Sequence, residues 1–142
     1  MPYTLSDSPN GTVLMLEAET RDELVHALLG GLLAASYGNA SPSGSPEGQF
    51  VPIQAGGNDT EELLTNLAAD ALRAVAETDG TLVPPRWLSF DEKRVTAHLP
   101  VVPARPSWRA FVLAARRPAL TIESELPAFR ARLELASAER AA

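Results

Sequence analysis

His26 and His98 are the only imidazoles in the chain, and they fall on a predicted helix and a predicted strand with no ligand spacing between them. Isolated histidines in such places are ordinarily packed or surface groups, so a histidine-based metal pair is not expected. There is no cysteine, which excludes disulfides, thiolate zinc sites and cysteine nucleophiles. Ser107, His98 and Asp91 have the residue types of a serine triad, but nothing beyond type joins them. The sequence also lacks a GxxxxGK[ST] phosphate loop, a GxSxG elbow and an HExxH helix.

Basic groups raise a different chemistry. Arg105, Arg109, Arg116, Arg117, Arg130, Arg132 and Arg140 make the C-terminal third locally positive, and Trp108 among them offers a stacking surface for RNA. Against this stands a formal net charge of -6 at pH 7, which repels a phosphate backbone. Most of these arginines also have an acidic neighbour. If the last two strands form a hairpin through "LPA", Glu125 faces Arg130 and Glu123 faces Arg132, in exposed pairs of about 0.2 to 1 kcal/mol each. Direct nucleic-acid binding is therefore not expected, and a protein partner is.

The elements that must position these groups are legible in part. With 142 residues, 45% of them hydrophobic and 21% charged, the chain fits one domain, 1–142, with a core of its own. In "GGNDTEELLTNLAADALRAV", residues 56–75, Asp59 can cap a helix and Glu62 can reach back to it. Leu63, Leu64, Leu67, Ala68, Ala71, Leu72 and Val75 form its apolar face, leaving Glu61, Thr65, Asn66, Asp70 and Arg73 largely outside, and Gly80 marks a stop. Upstream, "GTVLMLEAETRDELVHALLGGLLAAS" places an apolar stretch at 12–18 before a capping box of Thr20 and Glu23. Leu24, Leu28 and Leu32 follow at helical spacing, beside a second row at Val25, Leu29 and Leu33. Gly30 and Gly31 inside this helix cost roughly 1 kcal/mol each relative to alanine, which close backbone packing would offset.

Between the two helices "GNASPSGSPEGQ" reads as a mobile surface loop, around 38–49. After Gly80 the pattern changes to strands: "RWLSF" and "RVTAHLPVV" flank Asp91 and Glu92 as a hairpin, and "WRAFVLAA", "ALTIESE" and "FRARLELA" follow. In the last two, Leu120, Ile122, Phe129, Ala131, Leu133 and Leu135 share one face, while Thr121, Glu123, Glu125, Arg130, Arg132 and Glu134 share the other. Two helices and about six strands predict an α+β fold, two helices packed on one mainly antiparallel sheet. No basic-plus-apolar leader opens the chain and "HALLGGLLAA" is too short to cross a bilayer, so a soluble cytoplasmic protein is expected.

In this order of elements the chain resembles the archease family, small proteins that assist an RNA ligase in tRNA splicing and RNA repair. "ETRDELVHALLGGLLAA" is similar to the family's strand and first helix. "GNDTEELLTNLAADALRAVAETDGTL" is similar to its second helix, and a strand-rich end follows in both. The resemblance implies an accessory factor, not an independent enzyme, that docks on an RNA ligase and helps it take up metal and guanine nucleotide or turn over. It also implies a divalent cation, calcium or magnesium, held by acidic residues.

The motif residues depart from the family. Its His-Thr-Ala-Asp-like opening aligns with Ser8, Pro9, Asn10 and Gly11, leaving Asp7 one residue outside, and "SDSPNG" reads more readily as a turn that starts a hairpin or strand. On the second helix Asn66 stands near an acidic position and Asp70 keeps a charge where the family has glutamate. Glu134 takes the place of the closing aspartate, and Arg116, Arg117 and Pro118 replace a Tyr-His or His-His pair. The metal candidates implied are Asp7, Asp70 and Glu134, in a site weakened by the loss of the leading aspartate. Two alternatives are a binding module working through "SPSGSPEG" and the Trp87 and Trp108 surfaces, and a hydrolase built on Asp91 and His98.

Overall fold

A computed structural model of the chain describes residues 3–8, 11–38, 48–85, 87–91, 93–103, 108–114 and 119–137, without the side chains of Ser8, Trp87 and Ser137. Pro9 and Asn10, loop residues 39–47, Glu92, Ser107, Arg105, Arg116, Arg117, Pro118 and Arg140 therefore lie outside the described residues, as does the Trp87 side chain. In chain order the elements are β1 (Tyr3–Ser8), β2 (Gly11–Ala18), α1 (Arg21–Tyr37), β3 (Phe50–Gly56), α2 (Thr60–Glu77), β4 (Thr81–Leu82), β5 (Trp87–Phe90), β6 (Arg94–Val102), β7 (Phe111–Leu113), β8 (Leu120–Ser124) and β9 (Phe129–Ser137).

Both helices start where their caps predict. The Thr20 hydroxyl accepts from the Glu23 amide at 3.1 Å, and the Glu23 carboxylate reaches back to the Glu19 amide, one residue earlier than a regular capping box. Asp59 Oδ1 accepts from the Glu62 amide at 2.8 Å. α2 ends at Glu77, ahead of Gly80, because the Thr78 amide and hydroxyl both donate to the Ala74 carbonyl and close the last turn.

The fold is α+β, as the alternation of patterns predicts, but the described strands form two antiparallel sheets instead of one. The first has the order β1-β2-β9-β7, with β8 also pairing β9; the second has the order β3-β6-β4, with β5 also pairing β6. Each is built on one long strand, β9 or β6. A single long neighbour lies along one side of that strand and two short strands share the other. Neither β1 nor two-residue β4 was foreseen in the sequence, and no residues were assigned to β3 ahead of the second helix. β3 carries Pro52 and only two buried residues, Ile53 and Ala55, and so gives little apolar signal.

α1 packs on β1 and β2 and against α2. It also reaches the second sheet at both ends, with the Arg21 guanidinium 4.8 Å from the Phe90 ring centre and the Tyr37 hydroxyl accepting from the Leu82 amide at 3.3 Å. Its two apolar rows, Leu24, Leu28, Leu32 and Val25, Leu29, Leu33, are consequently both buried. A Cβ built on Gly31 would lie 2.6 Å from Leu14 Cδ1. Close approach to β2 is what makes glycine the residue that fits there.

The final hairpin corrects one expected detail. Its faces alternate as predicted, with Leu120, Ala131, Leu133 and Leu135 inside and Arg130 and Arg132 exposed. Ser124, however, stands opposite Arg130, and a bulge between Ile122 and Ser124 carries the register one residue further and sets Thr121 opposite Arg132. The arginines therefore pair elsewhere: Arg130 with Glu17 across β2 at 3.8 Å, and Arg132 with Glu134 on its own strand at 3.5 Å.

Candidate functional site

The three acidic candidates are held apart by the fold. Asp7 on β1 is in register with Thr12 of β2, which is in register with Leu135 of β9. Thr12 and Leu135 are buried, so this row faces the helices. Glu134 belongs to the next row, with Val13 and Ser6, and paired residues on adjacent rows point to opposite faces. Asp7 and Glu134 therefore lie on opposite sides of one sheet.

Asp70 is elsewhere again, on α2. Its Oδ2 accepts from the Gln54 amide of β3 at 3.0 Å, and its Oδ1 binds Arg73 at 2.8 Å. Four residues earlier on the same face, Asn66 Nδ2 donates to the Gly56 carbonyl at 2.8 Å. These two side chains satisfy backbone groups on the open edge of β3, an edge that would otherwise template further strands. Asp70 in turn holds the Arg73 guanidinium pKa above its ordinary value, through a side-chain hydrogen bond first and charge attraction second. Asp70, which the resemblance placed at a metal site, thus pins a helix to a strand together with Asn66.

Among the described residues no group of three or more His, Asp or Glu is placed to hold a metal ion. A recess between the start of α2 and β8 gathers Asp59, Glu61, Glu123 and Glu125. Of these, Asp59 caps the helix and Glu61 accepts weakly from the Ile122 amide at 3.5 Å. The Asp91 carboxylate accepts from the Lys93 and Arg94 amides at 2.9 Å each and closes the β5–β6 hairpin. His98 sits in the middle of β6, in register with Pro52 and Trp87. At about 3.4 Å per residue, the strand between Arg94 and His98 keeps that imidazole well beyond hydrogen-bond reach of the Asp91 turn.

One candidate does face a cleft. Between the ends of β1 and α1 lies a hollow of about 380 Å³, lined by Leu5, Asp7, Thr12, Ala34, Ala35, Ser36, Tyr37, Gly38, Trp108 and Arg109. Several features build it. The β1–β2 hairpin brings Asp7 beside Thr12. α1 ends at Tyr37, with Gly38 at a φ of 73° donating its amide to the Ala34 carbonyl. The Arg109 amide then donates to the Ser36 carbonyl at 2.8 Å, which draws 108–110 off the sheet toward the helix and shortens the strand expected there to β7.

The walls are mainly apolar with a few polar groups converging, the usual make-up of a small-ligand site. Ser36 is 2% exposed and its Oγ has no hydrogen-bond partner among the described residues. Thr12 is 5% exposed. Sequence reasoning missed both, since a serine at the end of a leucine-rich helix reads as a neutral solvated position. Arg109 lies with its guanidinium 4.9 Å from the Phe111 ring centre. No protein-family model and no curated protein matches the chain.

Proposed function

We propose that this protein is an archease-like accessory factor that docks on an RNA ligase in tRNA splicing or RNA repair and carries out no bond-making step of its own. One observation above all supports the reading. Asp7 and Thr12, which flank the positions where the resemblance puts the family's opening motif, line a cleft together with the end of α1. In this reading the cleft is the working surface, with Asp7 and Thr12 on its polar wall, and the partner supplies the metal and nucleotide chemistry. The test is co-purification of the full chain with an RNA ligase from the same cells, together with ligation turnover measured with and without it. A complex and a rise in turnover number are expected; neither appearing in a defined two-protein mixture overturns the proposal.

A second reading has a specific observation in its favour: Asp70 and Asn66 are committed to the β3 edge and Glu134 faces away from Asp7. It holds that the chain keeps the scaffold alone, as a binding module for a protein or small ligand. Both readings expect no metal site from Asp7, Asp70 and Glu134. Thermal unfolding with millimolar calcium or magnesium is then expected to show no rise in Tm, because only a ligand bound to the native state raises it.

A further inference from the structure

We infer that the cleft at the end of α1 binds a primary alkylammonium group, the chemistry of a lysine side chain or a free diamine. The inference rests on the cleft being the working surface, as proposed above, and adds what that surface recognises.

The charge distribution gives the sign of the ligand. The cleft lies at the C-terminal end of a 17-residue helix, where the aligned peptide dipoles leave a partial negative charge, and no basic side chain stands in that helix's last turn to offset it. Asp7 adds a full negative charge on the facing strand and makes no ion pair or hydrogen bond among the described residues. Arg109 is the one cation among the described lining residues, and it lies over Phe111. A cationic guest gains from both the carboxylate and the helix end.

Hydrogen bonding gives the head group. Ser36 Oγ is buried without a partner among the described residues, a condition that costs free energy until one arrives. Ser36 lines the cleft together with Asp7 and Thr12, residues of α1, β1 and β2, and each carries a side-chain oxygen able to accept from a head group with three N–H donors. A charge-assisted bond to the carboxylate is the strongest of the three. The walls give the tail. Leu5, Ala34 and Ala35 present apolar surface suited to a methylene stem. A hollow of about 380 Å³ with such walls is far larger and less polar than a bare ion needs.

Calorimetric titration of the full chain with Nα-acetyl-lysine methylamide, with its Nε-acetylated counterpart and with 1,5-diaminopentane tests this. Saturable binding of the lysine derivative is expected, with loss on Nε-acetylation. Tighter binding of the peptide-like probe than of the diamine points to a partner's lysine, and the reverse to a free amine. Asp7→Asn is expected to weaken binding by about tenfold, the size of one hydrogen bond to a charged group. Ser36→Ala is expected to weaken binding while leaving the ligand-free Tm level or higher; a lowered Tm means the hydroxyl is structural and overturns its part in recognition. No binding of either amine at millimolar concentration, or equal binding of the acetylated probe, overturns the inference. Ligase co-purification run alongside separates the two claims. A ligase complex without amine binding sinks this inference alone, and amine binding without a ligase complex sinks the accessory reading.

Discussion

α1 and α2 are of nearly equal length, 17 and 18 residues, and are capped in the same way, yet they do opposite jobs. α1 is buried on nearly every side after its first turn, with His26 its one exposed residue between Leu24 and Tyr37. α2 buries a single face and turns Glu62, Asn66, Ala69, Arg73, Ala76 and Glu77 outward. The polar residues of α2, at its flanks, are spent on holding β3 and on a surface ion-pair run, Asp70–Arg73–Glu77. The cleft instead hangs on the end of the buried helix. The more regular pattern marks the helix that meets water, and the chemistry collects where the less regular one stops.

If that contrast is right, substitutions on the two helices separate by size. Leu28→Ala on α1, at a site with no exposure, is expected to cost about 2 to 5 kcal/mol, read from the urea midpoint. A loss under 1 kcal/mol would mean that the α1 contacts are looser than described. Gly31→Ala is next: the new methyl meets Leu14, itself fully buried, and about 1 to 3 kcal/mol of overpacking is expected in the same measurement. On α2, Asp70→Ala leaves the Gln54 amide without its acceptor. The side chain is 24% exposed, so water replaces part of that bond and about 1 kcal/mol is expected. Faster hydrogen exchange at the Gln54 amide, with β6 amides unchanged, would sharpen the assignment. Glu77→Ala breaks an ion pair between half-exposed or more exposed partners, and its effect should stay within about 0.5 kcal/mol and shrink further in high salt.

How much of this could be read beforehand depends on how far each determinant reaches along the chain. Thr20 and Asp59 were readable as caps because each bonds an amide three residues on. The Asp91 turn was readable for the same reason. The alternation of "FRARLELA" gave β9 and its inner face correctly. β1 escaped notice because an edge strand with one covered face needs few apolar residues, and Tyr3 and Leu5 are all that it sets against the core. The β8–β9 register was misjudged by one residue at the turn, where Ser124 and not Glu125 meets Arg130, and by a second at the bulge between Ile122 and Ser124, which counting along a regular ladder does not anticipate. Asp70 was placed with Asp7 and Glu134 by family likeness, which carries over positions but not the bonds those positions make here.

The sequence by itself determined the two capped helices, the strand-rich second half and the α+β class, because periodicity, caps and turns act between residues a few places apart. Only the tertiary structure decided which carboxylates share a space. It set Asp7 and Glu134 on opposite faces through adjacent rows of one ladder, drew Asp70 to the backbone of β3, and gathered Asp7, Thr12, Ser36 and Arg109 around one hollow. Those meetings depend on sheet register and helix docking, which are settled by the burial of the whole core and leave no mark on any short stretch of the chain.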